Sequence, residues 1–137
     1  MSFRPVYVGA SGLLKLVLPE PERPELVREL ARWPERVSSV ILDVECQRGV
    51  RRAGDPPGLI ERLRDELACV TLIRLDDDVR KLAGHIGPRD LRSLDAIHLA
   101  TALSIGDYPE AFFTYDDRLA RAARGLKLNV LQPGRRT

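Results

Sequence analysis

Short apolar runs alternate along this chain with segments whose apolar residues recur every three or four positions. The run 69–73 is rich in β-branched residues, which is typical of a buried strand, and 59–67 has the spacing of an amphipathic helix. On this basis strands are predicted at 6–8, 37–40, 69–73, 111–114 and 128–131. Helices are predicted at 12–18, 24–32, 41–52, 59–67, 76–85, 94–103 and 116–124. Ser11 is predicted to cap the first helix at its N-terminus, and Gly125 to cap the last helix just after its end at Arg124.

This alternation of strands and helices predicts a three-layer α/β/α domain with a mostly parallel central sheet, covering residues 1–137. Open parallel sheets carry their binding sites at the carboxyl ends of the strands. Gly9 and Ser11 follow the first predicted strand, and Thr114 and Asp116 follow the fourth. We therefore expect a functional site where these residues meet.

The segment 94–103 is apolar almost all round, which is typical of a helix inside a fold, yet it carries Asp95 near its start. A carboxylate entering a core is costly unless it is paired or binds a cation. Two interpretations stay open. In the first, Asp95 serves only the first turn of the helix, where an acid suits the free N–H groups and the dipole. Alternatively, it points into a cleft where other acids meet around a metal ion.

Other acids are placed to reach the same edge of the sheet. Glu45 lies in the third predicted helix, where it could instead be a solvated residue paired with Arg48. Asp116 and Asp117 could both be ordinary first-turn acids of the last helix. Acids gathered at one edge without basic partners repel one another, and a divalent cation relieves that repulsion. Oxygen ligands favour Mg²⁺ or Mn²⁺ over Zn²⁺.

Composition narrows the class of protein. The 137 residues, 44% apolar and 31% charged, are typical of a globular domain, and no apolar run is long enough to span a membrane. The beginning of the chain lacks the apolar region of a signal peptide, so a cytoplasmic location is expected. Cys46 and Cys69 are too few for a disulfide framework and are predicted to be small buried hydrophobes. Nearly all of the positive charge is arginine, which suits phosphate contacts but also follows from a GC-rich genome.

Four segments resemble the motifs of PIN-domain ribonucleases. Residues 6–16 resemble the opening strand and helix of that family, and residues 39–52, with Glu45, resemble its second motif. Residues 91–102, LRSLDAIHLATA, closely resemble the third, and residues 113–120, FTYDDRLA, the fourth. Size and motif order match the VapC-type toxins of toxin–antitoxin pairs. The resemblance implies a Mg²⁺- or Mn²⁺-dependent endoribonuclease, a small cognate antitoxin as partner, and a homodimer.

Carried over residue by residue, the resemblance makes Glu45, Asp95 and Asp116 the catalytic and metal-binding acids, with Asp117 in reserve. Ser11 and Thr114 match positions where the family often has hydroxyls near the site. Arginines at the rim would contact flanking RNA phosphates, and the candidates are Arg48, Arg51, Arg92 and Arg118. We interpret His98, three residues after Asp95, as a satisfied core residue rather than a general base. An apolar groove near the second and fourth helices is expected to take a helical tail of the antitoxin.

Gly9 is a departure from the family, which places a metal-binding Asp at the end of its first strand. Glycine supplies no carboxylate there, so cleavage is expected to be impaired. Either a selected or engineered loss of activity or a natural degenerate copy would account for Gly9. The consistency of the other motifs favours the former without deciding between them.

Two other classes of protein remain as alternatives. The first is a catalytically inactive module of the same fold that binds RNA or antitoxin. A phosphoacceptor receiver domain is also doubly wound with clustered acids, but it carries paired acids after its first strand, where this chain has Gly9 and Ala10.

Overall fold

The computed structural model describes residues 4–135. Within that range the chain forms five strands and seven helices in alternation. The strands are β1 (Val6–Val8), β2 (Arg36–Ser39), β3 (Val70–Ile73), β4 (Phe112–Phe113) and β5 (Val130–Leu131). The helices are α1 (Ala10–Val17), α2 (Arg23–Leu30), α3 (Leu42–Arg52), α4 (Leu59–Leu67), α5 (Asp77–His85), α6 (Ser93–Leu103) and α7 (Asp117–Gly125).

The strands pair in the order β3-β2-β1-β4-β5 and every pairing is parallel. The first strand lies at the centre, with Tyr7 opposite Val37 on one side and Phe112 on the other. The chain runs outward from β1 through β2 to β3, then crosses back to β4 on the other side of β1 and ends at β5. The carboxyl ends of β1 and β4 therefore meet at a topological switch point, where α/β folds bind ligands. The predicted α/β fold with a parallel sheet is confirmed.

Alternation of side chains along the strands divides the core between two helical layers. Val6 and Val8 pack with the buried faces of α1, α2, α3 and α4. Tyr7 points the other way and packs with Leu99 of α6 and Leu119 of α7. The alternation of side chains along the strands thus separates a larger core under the first four helices from a smaller core under the last ones.

Several local predictions are wrong. Ser11 does not cap α1, because the helix begins at Ala10 and Gly9 occupies the cap position. Gly125 is the last residue of α7, and the left-handed conformation is taken by Lys127, with φ of 68°. Cys46 is buried as expected, whereas Cys69 is exposed just before β3.

The spacing of Leu26, Val27, Leu30 and Ala31 predicts one apolar stripe on α2, but the structure divides it. Leu26 and Leu30 are fully buried, but Val27 is 48% exposed. Among the described residues, no helix combines the length and apolar character required to cross a bilayer.

Candidate active site

Asp95 lies in the first turn of α6, half-buried at the carboxyl edge of the sheet. Burial raises the pKa of Asp95 above its ordinary value, and the negative charge of Asp116 raises it further. His98 and Arg92 oppose this rise, and Glu45 makes the smallest contribution, in the upward direction. A carboxyl group that served only to cap the helix would be stabilised in its charged form. The structure thus brings Asp95 into the electrostatic neighbourhood of the two other acids expected at this edge.

Glu45 reaches this neighbourhood from α3, in the opposite helical layer. Its Oε1 lies 2.6 Å from Nε2 of His98, on the helix that carries Asp95. The expected alternative, an ion pair with Arg48, is absent among residues 4–135. Sequence reasoning placed His98 in the core correctly, since it is 2% exposed, but missed its carboxylate partner. That partner lies 53 positions away, so no local spacing could have revealed it.

The loop between β4 and α7 holds Asp116 next to the end of β1. The Oδ1 of Asp116 accepts a hydrogen bond from the backbone N–H of Leu119, so this acid also caps α7. Its own N–H donates to Thr114 Oγ1 at 3.2 Å, and Thr114 Oγ1 lies 3.1 Å from Ser11 Oγ. The two hydroxyls thus tie α1 to the loop of Asp116. Neighbouring Asp117 points elsewhere and pairs with Arg135 at 2.9 Å.

Gly9 faces the same loop. Its φ is −82°, a conformation open to any residue. A Cβ placed there would lie 3.4 Å from the carbonyl oxygen of Phe113 and 3.7 Å from Thr114 Cβ, which is ordinary contact. The position therefore has room for a Cβ, which would lie 3.8 Å from the hydroxyl oxygen of Thr114.

Of the candidate arginines, the structure brings two to the acids. A groove of about 880 Å³ runs between the start of α6 and α7, lined by Asp95, Arg92 and Arg118. Arg121, one turn after Arg118, lines it too and was not predicted. Arg51 lies at the other end of α3 and pairs with Asp55, 3.8 Å away. Arg48 is exposed on α3 and is not among the lining residues.

No group of three His, Cys, Asp or Glu side chains among the described residues is close enough to form a complete metal site. Gly9 accounts for part of this, since the central strand ends without a carboxylate. What the chain offers is the hard oxygen donors of Asp95, Asp116 and Glu45, which are near enough to influence one another electrostatically. Mg²⁺ commonly keeps several waters and is held by only one or two carboxylates, so the donor chemistry fits that ion.

The fold and motif order define a known class of protein. Residues 6–125 match the family model of the PIN domain, and the chain belongs to that family. It is 39% identical over 128 residues to Ribonuclease VapC46 of Mycobacterium tuberculosis (strain ATCC 25618 / H37Rv), covering 93% of this chain and 97% of that protein. It is also 39% identical over 133 residues to Ribonuclease VapC47 of Mycobacterium tuberculosis (strain CDC 1551 / Oshkosh), covering 94% and 97%.

Solved structures share the fold at lower identity. One chain, from a toxin–antitoxin complex of Klebsiella pneumoniae, gives a TM-score of 0.70 at 21% identity and covers 93% of this chain and 97% of its own. VapC20 of Mycobacterium tuberculosis, described as a sarcin–ricin loop cleaving toxin, gives 0.68 at 16% identity and covers 85% and 94%. The expected PIN-like architecture is therefore confirmed, and within the PIN family the curated relatives are VapC ribonucleases.

Proposed function

We propose that this chain is a divalent-cation-dependent endoribonuclease, the toxin of a toxin–antitoxin pair, and that Gly9 impairs its cleavage of RNA. The observation that carries the proposal is the 2.6 Å contact between Glu45 and His98, which brings Glu45 to the helix of Asp95 at the carboxyl edge of the sheet. The names of its curated relatives support the ribonuclease activity, and the Klebsiella complex supports the toxin–antitoxin assignment.

The three acids divide the work of the site. Asp95 and Asp116 would supply oxygen ligands for Mg²⁺ or Mn²⁺, and Glu45, held by His98, would supply a third from the opposite helix. Such an ion, when bound, lowers the pKa of a water and stabilises the negative charge that develops on the phosphoryl oxygens. The hydroxyls of Ser11 and Thr114 keep the Asp116 loop in place through their contacts with backbone N–H groups.

Substrate positioning falls to the arginines. The groove that Asp95 lines is also lined by Arg92, Arg118 and Arg121. Phosphates on either side of the scissile bond could therefore contact these arginines. Arginine suits this role because its planar fork of N–H donors matches phosphate oxygens. Arg48 and Arg51 would contact only RNA that extends beyond the groove.

The test is cleavage of a total RNA preparation by the chain as it is and by Gly9→Asp, each with Mg²⁺, with Mn²⁺ and with a chelator. Gly9→Asn is the matched control, because it adds nearly the same volume without the charge. We expect Gly9→Asp to cleave at least about tenfold faster, equivalent to about 1.4 kcal/mol of barrier. Chelation should abolish cleavage, and Gly9→Asn should remain near the parent rate.

One alternative function is tested by the same experiment. If neither the parent nor Gly9→Asp cleaves RNA, while the chain still binds RNA or its antitoxin, an inactive binding module of the same fold is favoured. Equal cleavage by the two proteins would contradict the role given to position 9.

The partners proposed for the chain are a small cognate antitoxin and a second copy of itself, in the cytoplasm. Half of the α2 stripe supports the first, since Val27 remains 48% exposed beside the fully buried Leu26. Co-expression with the product of the neighbouring gene should give a complex that co-purifies, and Val27→Asp should weaken it. Sedimentation should give the mass of a dimer for the isolated chain.

A further inference from the structure

A chain of buried hydrogen bonds runs from the sheet to Glu45. The backbone N–H of Ser39, at the end of β2, donates to the hydroxyl oxygen of Tyr7 at 3.1 Å. That hydroxyl lies 2.7 Å from Nδ1 of His98, and Nε2 of His98 lies 2.6 Å from Oε1 of Glu45. Tyr7 is fully buried and His98 is 2% exposed. We call these four residues the Glu45 relay.

The direction of the bonds follows from the donors available. The Ser39 N–H can only donate, so the Tyr7 oxygen accepts from it and keeps its own proton to give. The side chains of Ser38 and Thr101 also lie near this hydroxyl, but the acceptor at 2.7 Å is Nδ1 of His98. That nitrogen then carries no proton, and the ring proton lies on Nε2 facing the Glu45 carboxylate. Burial raises the pKa of Tyr7, so the hydroxyl retains the proton that this arrangement needs.

The rings of the relay have little freedom to move. Tyr7 stacks on Phe112 with centroids 4.8 Å apart and meets the His98 ring edge-on at 5.7 Å. Tyr7 belongs to the central strand, and His98 to the buried face of α6. Only the end of the relay, at Glu45, is partly open, with 23% of that side chain exposed.

We propose that His98 is a positioning residue that holds Glu45 across the sheet edge, with Tyr7 fixing the ring in its Nε2–H tautomer. Glu45 belongs to α3, which packs on the larger core together with α1, α2 and α4. Asp95 belongs to α6, on the other face of the sheet. The bond to His98 fixes Oε1 on the α6 side. This inference rests on the proposed function only in taking Glu45 as a ligand for the divalent ion.

Hydrogen bonds of this kind are general features of metal sites, because they orient the ligating group and limit its motion. Removing such a partner costs about 10–100-fold in metal affinity or activity. His98→Ala should therefore weaken Mn²⁺ binding by about that factor. His98→Gln can still donate an amide N–H to Glu45 and accept from Tyr7, so it should recover most of the affinity.

The first measurement needs no metal. The chain has two histidines, His98 and the exposed His85, so His85→Gln leaves one imidazole to observe by ¹⁵N NMR. We expect the metal-free chain to show a protonated Nε2 and an unprotonated Nδ1. Tyr7→Phe removes the donor to Nδ1 and should weaken the tautomer preference, leaving the Glu45 carboxylate as the acceptor that keeps the proton on Nε2. A ring protonated on Nδ1 in the parent would overturn the proposal.

The second measurement is Mn²⁺ titration by calorimetry of the parent, His98→Ala, His98→Gln and the control His85→Gln, each also carrying Gly9→Asp. Affinity should fall for alanine, recover for glutamine and stay unchanged for the control. Equal affinity of His98→Ala and its parent would overturn the positioning role, as would a folded His98→Gln that binds as weakly as alanine. If the alanine variant does not fold, the glutamine variant and the NMR result still decide.

The two proposals fail in different ways. Absence of Mn²⁺ binding in every background, with the Nε2–H tautomer observed, would refute the metal-dependent function and with it the ligand role of Glu45. Normal Mn²⁺ binding with the opposite tautomer would refute the relay and leave the ribonuclease proposal standing.

Discussion

The two sides of the cleft differ in how completely they are built. On the α3–α6 side, Glu45 ends a buried relay through His98 and Tyr7. On the β1–β4 side, the hydroxyls of Ser11 and Thr114 hold the Asp116 loop. The strand β1 on this side is followed directly by Gly9, which has no side chain. On the α3–α6 side, the carboxylate of Glu45 thus has a hydrogen-bonding partner. On the β1–β4 side, the hydrogen-bonded hydroxyls lie beside position 9, which supplies no carboxylate.

This difference indicates that the residues supporting a site and the ligands themselves can be retained separately. The relay residues also belong to the core, since Tyr7 and His98 are among its largest buried side chains. Their loss would affect folding as well as function. A carboxylate at position 9 serves no packing contact, so its absence leaves the fold intact. Two kinds of substitution test this separation: adding a carboxylate on the β1–β4 side, which we call the open side, and removing a relay residue on the α3–α6 side, which we call the built side.

The largest effect is expected from filling the open side. Gly9→Asp should gain more stability from Mn²⁺ than the parent does, about 2.7 kcal/mol at a concentration one hundred times its dissociation constant. Attraction between unit charges at about 4 Å is on the order of 4 kcal/mol at an effective dielectric of about 20, and part of that would tighten binding. Without metal, Gly9→Asp should be less stable than the parent, because it adds a further negative charge near Asp116. Thermal melting with and without Mn²⁺ measures both.

Gly9→Asn again serves as the matched control and should respond to Mn²⁺ as the parent does. Identical Mn²⁺-induced shifts for Gly9→Asp and Gly9→Asn would show that a charge at this position does not reach the ion.

A smaller effect is expected from breaking the built side. Tyr7→Phe leaves the Ser39 N–H and the Nδ1 of His98 buried without a partner, which should lower the free energy of unfolding by about 1–3 kcal/mol. Ser11→Ala, on the open side, removes a hydroxyl that is only partly buried and should cost about 0.5–1.5 kcal/mol. Urea denaturation compares the two. Tyr108→Phe is the control, since Tyr108 is 49% exposed, and a loss at Tyr7 no larger than this control would remove the distinction between the sides.

Sequence predicted most of the fold because its signals are local. Alternation of β-branched runs with helical spacing is set within each segment, so element order and a parallel sheet followed directly. The predictions that failed depend on tertiary contacts. Ser11 has the character of a helix cap, but its hydroxyl is used by Thr114 and Tyr115 across the sheet edge.

The candidate site shows the same limit. Asp95 was found because a carboxylate in an apolar helix is anomalous in the sequence itself. The bond between Glu45 and His98 was not, because 53 residues separate them and each has an ordinary explanation alone. Arg121 was missed since only the packing of α7 beside α6 turns it into the groove. A histidine predicted to be buried near several acids is therefore a reason to look for a carboxylate partner far away in the sequence.

The groove predicts a modest, salt-dependent effect. Arg118→Ala and Arg121→Ala should each weaken RNA binding similarly across sequences and reduce the slope of log affinity against log salt by about 1. Binding is measured with a chelator present, so that cleavage does not interfere. Arg64→Ala is the control, because Arg64 is exposed on α4 in the opposite helical layer. A slope change at Arg64 equal to that at Arg121 would place the RNA elsewhere.

The smallest effect is expected from removing the charge of Asp95, whose pKa responds to acids on both sides of the cleft. Burial, with Asp116 and Glu45 nearby, raises the pKa of Asp95 above its unfolded value, so the folded chain binds this proton more readily than the unfolded one. Stability from this group is therefore greatest below the unfolded pKa and falls as pH rises through the interval up to the folded pKa. Asp95→Asn removes that loss, so the variant should melt higher than the parent near neutral pH and show a flatter decline above the acid range. The exposed Asp65→Asn on α4 is the control. If Asp95→Asn were no more stable than the parent at neutral pH, the charge of Asp95 would already be compensated, and the acids would not be poised to gain from a cation.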